Sequence, residues 1–199
     1  PASQQDMDYS PRTDGAGQSV PNLCFKVHTG GGKTLLASAA ISRIFGRYLS
    51  SNTGFVLWIV PNEAIYTQTK KQLTNREHPY RQMIDRAAAG RVKFLEKNDR
   101  LDRRDVDTHL CVMLLMLQSA NRQTKETLRI FRDRGNVHGF FPASDDFEAH
   151  FTLLQQIPNL TAYGDQDRNN RGSIVQDSLG NLLLYIRPVV IMDEGHKAY

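Results

Sequence analysis

The run FVLWIV at residues 55–60 constrains this chain more than any other stretch. Six β-branched, aromatic or leucine side chains in a row, with no polar alternation, make a strand that must be covered on both faces. Pro61 ends it. VKFL at 92–95, LCVMLLML at 110–117, VVIM at 189–192 and LCFKV at 23–27 are further strand candidates. Segments of helical character fall between them at 35–49, at 63 to about 76, at about 122–134 and at 178–186. Strand and helix in alternation predict an α/β fold, a parallel central sheet flanked by helices.

The remaining stretches carry less pattern. Residues 1–20 are rich in Pro, Gly, Ser, Gln and Asp and are expected to form an N-terminal arm or loop. Residues 135–180 read as an insertion, with turn sequences and one amphipathic segment, FEAHFTLLQQI. The phenylalanines there, at 140, 141, 147 and 151, are expected to pack on their own lobe. Apolar runs are too short to cross a bilayer and no secretory pattern opens the chain, so a cytoplasmic protein is expected. Cys24 and Cys111 each sit in an apolar run and read as buried free thiols. Trp58, in the middle of FVLWIV, reads as core.

Net charge is a mild +4, unevenly spread. Residues 70–104 hold eleven Lys/Arg against five Asp/Glu, whereas residues 133–181 hold three against seven. The first stretch is either a cationic face or an ordinary solvated helical surface.

Between the expected strand at 23–27 and the expected helix from 35 stands HTGGGKT. Glycines at a strand–helix junction let successive N–H groups turn inward on phosphate oxygens, and the helix start adds its positive dipole end. Thr29, Gly30, Gly31, Gly32, Lys33 and Thr34 are therefore expected to bind a nucleotide. Lys33 would reach the β- and γ-phosphates, and the Thr34 hydroxyl would ligate Mg²⁺. VVIM delivers Asp193 and Glu194 to the end of another strand. Asp193 suits the metal and its water shell, and Glu194 suits orienting and deprotonating the attacking water. Alone, DEGH could be a solvated surface cap; paired with HTGGGKT it reads as the acidic half of a P-loop site. ATP and Mg²⁺ are the expected ligands.

TGGGKT with a D-E-x-H box resembles motifs I and II of superfamily 2 helicases and translocases. More narrowly, FKVHTGGGKTLLA, LWIVPNEAIYTQT and RPVVIMDEGHKAY together resemble the ATPase subunit of type III restriction enzymes. The resemblance covers most of residues 21–123 and again 178–199. It implies a RecA-like P-loop NTPase lobe over residues 21–199, working on nucleic acid, with double-stranded DNA the expected substrate. It further implies that His196 links the state of the γ-phosphate to the nucleic-acid path. Pro61 and Asn62 would stand where motif Ia touches the tracked strand, and Ser119 and Asn121 in motif Ib. Val27 and His28 replace the usual small residues at the start of motif I, and DEGH replaces the commoner DEAH. No clear adenine-reading glutamine motif stands in residues 1–22, where Gln18 is only a guess.

The resemblance also implies parts that these residues lack: a second RecA-like lobe with its arginines, and further domains. A methylation or specificity subunit is a possible partner. The chain is thus expected to be a fragment of a larger motor, incomplete at its C-terminus, binding nucleotide with little turnover alone and leaving a sheet edge exposed. No nuclease constellation stands out. Two other functions compete, a P-loop ATPase or kinase that ignores nucleic acid and a degenerate module that only binds partners. The basic stretch and the DExH box argue against the first, and the intact Lys33, Thr34, Asp193 and Glu194 against the second.

Overall fold

The computed structural model describes residues 11–14, 17–28, 30–116, 135–165 and 172–193. Its centre is a four-stranded parallel sheet. β3 (Gly54–Val60) pairs with β6 (Leu110–Met116), which pairs with β4 (Val92–Leu95), while β10 (Val189–Met192) flanks β3 on the other side. The strand order is β10-β3-β6-β4.

FVLWIV behaves as its composition requires, because successive side chains alternate between two cores. Val56, Trp58 and Val60 face one, with Val112 and Leu114 of β6. Phe55, Leu57 and Ile59 face the other, with Cys111, Met113 and Leu115. Trp58 is fully buried, as expected of a core residue. Each such large apolar side chain contributes about 2–3 kcal/mol on leaving water. The first core is closed by α1 (Lys33–Arg43), α2 (Glu63–Thr74) and α3 (Pro79–Ala87). The second is closed by Leu101 of β5 (Leu101–Asp102), Val137 of β7 (Val137–His138), Phe140, and Leu179 and Leu182 of α6 (Leu179–Ile186), with Val106 of α4 (Arg103–Thr108) packed against it.

A satellite core lies beyond this one. α5 (Phe147–Gln156) and the antiparallel pair β8 (Ala162–Asp165) and β9 (Gly172–Val175) surround Leu153, Leu154, Leu160 and Val175. Asn181 joins it to α6. Its buried amide donates to the Thr161 and Gln176 carbonyls at 2.7 and 2.8 Å and accepts from Thr161 N–H at 2.9 Å. Phe140 is buried and Phe141 stacks at 5.7 Å on Tyr185, whereas Phe147 is exposed.

Some expectations from the sequence fail. LCFKV forms no strand; residues 23–27 run outside the described sheet with Leu23 71 % and Phe25 61 % exposed. A strand needs a neighbour as well as β-propensity, and none of the described strands pairs with it. Cys24 is consequently exposed, not buried, while Cys111 is buried and its thiol is pushed up to about 12, chiefly by burial. A thiol reagent added to the native protein should modify Cys24 quickly and Cys111 only after unfolding. Two fast equivalents in a stopped-flow titration would contradict this burial. The expected helix at 35–49 starts at Lys33 and gives way to a π-helical turn at Ile44–Tyr48. The helix expected at about 122–134 lies outside the described residues.

One corner is held by a buried charge. Arg81 of α3 is 5 % exposed. Its Nε donates to both oxygens of Asp85 at 2.9 Å, its Nη1 donates to the Leu73 carbonyl at the end of α2 at 3.2 Å, and its guanidinium lies 4.7 Å over the Phe94 ring of β4. Arg81→Ala leaves Asp85 and the Leu73 carbonyl without their donor and should cost about 3 kcal/mol. Thermal melting should register this as a fall of about 10 °C.

Candidate functional site

The glycine-rich turn leads into the amino end of α1. Gly30 and Gly32 have φ of +79° and +80°, and Gly31 N–H donates to the His28 carbonyl at 3.0 Å. A Cβ on Gly31 would lie 2.8 Å from Val27 Cγ1 and 3.0 Å from the His28 oxygen, so the tight turn admits only glycine there.

Gly32 is the N-cap of α1 and offers no side chain to its first N–H groups; no acidic residue stands in the first turn. Every other described α-helix is capped. Asn62 serves α2, His78 serves α3, Asp146 serves α5 and Ser178 serves α6, while Asp102 and Asp105 form a capping box on α4. The first N–H groups of α1, behind the glycine turn and opening on Lys33, thus have no side-chain cap at the positive end of the helix dipole.

Ligands of parallel α/β sheets bind beyond the carboxyl edge of the strands. The continuation of α1 lies against the start of β3, where a Cβ on Gly54 would meet the Phe45 ring at 2.8 Å. From Phe45 back to Lys33 the helical rise is about 18 Å. β3 climbs about 20 Å over the same interval. A helix running back along β3 over that rise would bring Lys33 and Thr34 level with the strand ends. Thr34 is half-buried, and its carbonyl accepts from Ser38 Oγ at 3.0 Å.

Asp193 reaches the same edge from β10. Its N–H donates to the Ile59 carbonyl at 2.9 Å, extending the ladder one residue past Met192 and fixing the backbone beside the end of β3. Pro61 is buried where β3 stops, and Asn62 Oδ1 accepts from Ile65 N–H at 3.0 Å to cap α2. The structure thus places Asp193, Pro61 and Asn62 at the carboxyl ends of β10 and β3, and Gly30, Gly31, Gly32, Lys33 and Thr34 at the amino end of α1. Thr29, Ser119, Asn121, Glu194 and His196 lie outside the described residues.

The donor set fits a nucleotide with its metal. Among the described residues no group of three or more His, Cys, Asp or Glu could hold a metal unaided. Mg²⁺ at phosphate sites takes one or two protein oxygens and otherwise phosphates and water, which Thr34 and Asp193 can supply.

Two features escaped the sequence. Glu96, just past β4, accepts from Tyr66 at 2.9 Å and pairs with Lys70, tying α2 to the end of β4. The Lys70 hydrogen bond, followed by the Tyr66 bond, holds the Glu96 carboxyl below its ordinary range. Burial and then the Glu96 bond push the Tyr66 hydroxyl upward. The i,i+4 spacing of Tyr66 and Lys70 on α2 was the available signal. The second is Arg187, whose guanidinium bonds Asp14 at 2.9 Å and the amide oxygen of Gln18, anchoring the hairpin of β1 (Arg12–Thr13) and β2 (Ser19–Val20). Arg187 precedes β10 at its amino end, so Gln18 stands at the opposite edge from Asp193. The larger described cavity, about 590 Å³ beside Phe140, Phe141 and Tyr185, lies on the other face of the sheet from α1.

The chain matches the family described as type III restriction enzyme, res subunit, over residues 12–199. No curated protein and no solved structure matches it.

Proposed function

Since the chain belongs to the family of type III restriction enzyme res subunits, we propose that it is the ATP-binding first RecA-like lobe of an ATP-dependent DNA translocase or helicase. The α/β sheet is the RecA-like fold of that family, and the family's general activity is that of an ATP-dependent, helicase-type hydrolase. No described helix is long and apolar enough to cross a membrane.

The observation that carries the proposal is the uncapped, glycine-led start of α1, supported by Asp193, whose N–H bond to the Ile59 carbonyl holds it at the carboxyl end of β10. The α1 N–H groups and Lys33 receive the phosphates. Thr34 and Asp193 hold the metal, which when bound neutralises charge on the phosphate oxygens. Glu194 orients a water and takes its proton. His196, two residues on, relays the state of the γ-phosphate toward the nucleic acid.

For the nucleic acid, Pro61 and Asn62 border the same edge. The turn after β4 and the start of α4 add Lys97, Arg100 and Arg104 there. Ser119 and Asn121 would extend the track. Contacts of this kind bind the backbone without reading sequence and weaken steeply with salt. A second lobe, and a methylation or specificity subunit, are the partners the family suggests.

Binding of a fluorescent ATP analogue is the direct test. Saturable, Mg²⁺-dependent binding displaced by ATP is expected. Binding that is absent, or indifferent to Thr34→Ala and Asp193→Ala together with Mg²⁺ removal, would sink the nucleotide reading.

A further inference from the structure

The amino edge of the sheet, opposite the glycine turn, carries its own concentration of positive charge. Ile41 and Phe45 from α1 and its π-helical turn, Leu73 of α2, Ile84 of α3, Ala88 just after it and Leu110 at the start of β6 pack in one buried cluster. Exposed cations flank these buried anchors in sequence. Arg43 and Arg47 flank Phe45, Lys71 and Arg76 lie either side of Leu73, and Arg86 and Arg91 lie either side of Ala88. These six exposed cations stand in the last turns of α1, its π-helical continuation, α2 and α3 and in the segments after α2 and α3, beside that cluster.

Little negative charge opposes them. Residues 33–91 contain three acidic side chains, Glu63, Glu77 and Asp85. Glu63 stands in the first turn of α2, at the carboxyl edge. Asp85 is committed to the buried Arg81. Of these three, only Glu77 lies among the six cations in sequence, and Asp107, near the end of α4 ahead of Leu110, pairs with Arg103 at 3.9 Å. The six cations have no ion-pair partner among the described residues. Favourable contact with helix carbonyl ends accounts for Arg43, Lys71 and Arg86, which lie in last turns. Arg47 likewise stands in the last turn of the π-helical segment, whereas Arg76 and Arg91 lie beyond the helices and have no such role.

We propose that these six cations form a second contact for the phosphate backbone of double-stranded nucleic acid, on the opposite edge of the sheet from the nucleotide site. It shares the nucleic-acid client with the proposed function but uses different residues. The contact would hold duplex outside the tracked path and contribute affinity without sequence preference.

The test titrates the full chain with a short fluorescent duplex between about 50 and 200 mM salt. One variant carries Lys71→Gln, Arg76→Gln, Arg86→Gln and Arg91→Gln; a second carries Lys97→Gln, Arg100→Gln and Arg104→Gln. Thermal melting verifies both folds, and the pair Arg76→Gln, Arg91→Gln replaces the first set should it melt early. The amino-edge variant is expected to lose about tenfold in duplex affinity near 0.1 M salt. Its log–log salt slope should become shallower by up to about 3.6, at roughly 0.9 for each of the four lost phosphate contacts. Nucleotide binding should be unchanged. Affinity and slope equal to the unaltered chain, with a loss confined to the carboxyl-edge variant, would overturn this second contact and leave the proposed function standing. No duplex binding by the unaltered chain would overturn both.

Discussion

Lys33→Ala is expected to weaken Mg·ATP binding by roughly ten- to a hundredfold and to cut hydrolysis by about 10²–10³-fold. The binding estimate is the worth of one charge-assisted hydrogen bond, about 1.5–3 kcal/mol. The rate estimate is the usual cost of removing one donor aimed at charge that develops in the transition state. The residue is singled out because α1 opens on Gly32 with neither a side-chain cap nor an acidic first turn. The N–H groups there survive the substitution, so binding should weaken without vanishing. Lys33→Arg should rescue poorly, since a planar fork does not replace a compact ammonium in a tight glycine turn. Equilibrium titration and steady-state hydrolysis, with melting as the fold control, check it. Unchanged binding and turnover would mean that the turn is an ordinary loop.

Glu194→Gln should give the opposite split. The amide keeps the shape of the carboxylate but cannot accept a proton, so hydrolysis should fall about 10²–10⁴-fold. Nucleotide affinity should hold or rise, because a negative charge near the phosphates is removed. Glu194 follows Asp193, whose backbone is fixed against Ile59 at 2.9 Å. Lys33→Ala thus loses binding and turnover together, and Glu194→Gln loses turnover alone. Single-turnover kinetics with bound nucleotide separate the two patterns. Parallel losses of affinity in both variants would show that Glu194 contributes to binding and is not the base.

What the sequence revealed was mainly what local chemistry determines. FVLWIV could be read because a run without alternation must have a core on each face, and both cores are present. HTGGGKT could be read because glycine turns and helix starts are local. LCFKV misled because its β-propensity said nothing about whether a neighbour would pair with it. α3 was missed although Pro79 at its first position is a helix-start signal. Its brevity and the charge of its sequence hid the apolar stripe through Ile84, and nothing local announced that Arg81 is buried. Charge counting along 70–104 also merged two surfaces. β4 crosses the sheet between Arg91 and Lys97, sending the first group to the amino edge and the second to the carboxyl edge. Glu194 and His196 remain legible only as sequence, since they lie outside the described residues.

ATP turnover by this lobe is proposed to serve movement on duplex DNA. The most direct measurement is ATP hydrolysis by the protein carrying this lobe, alone and with duplex DNA, single-stranded DNA or RNA, with Glu194→Gln as the blank. Stimulation by duplex DNA that exceeds that by the other nucleic acids and disappears in the variant is expected. A rate that Glu194→Gln abolishes but no nucleic acid changes would contradict it, leaving a P-loop ATPase with a different client.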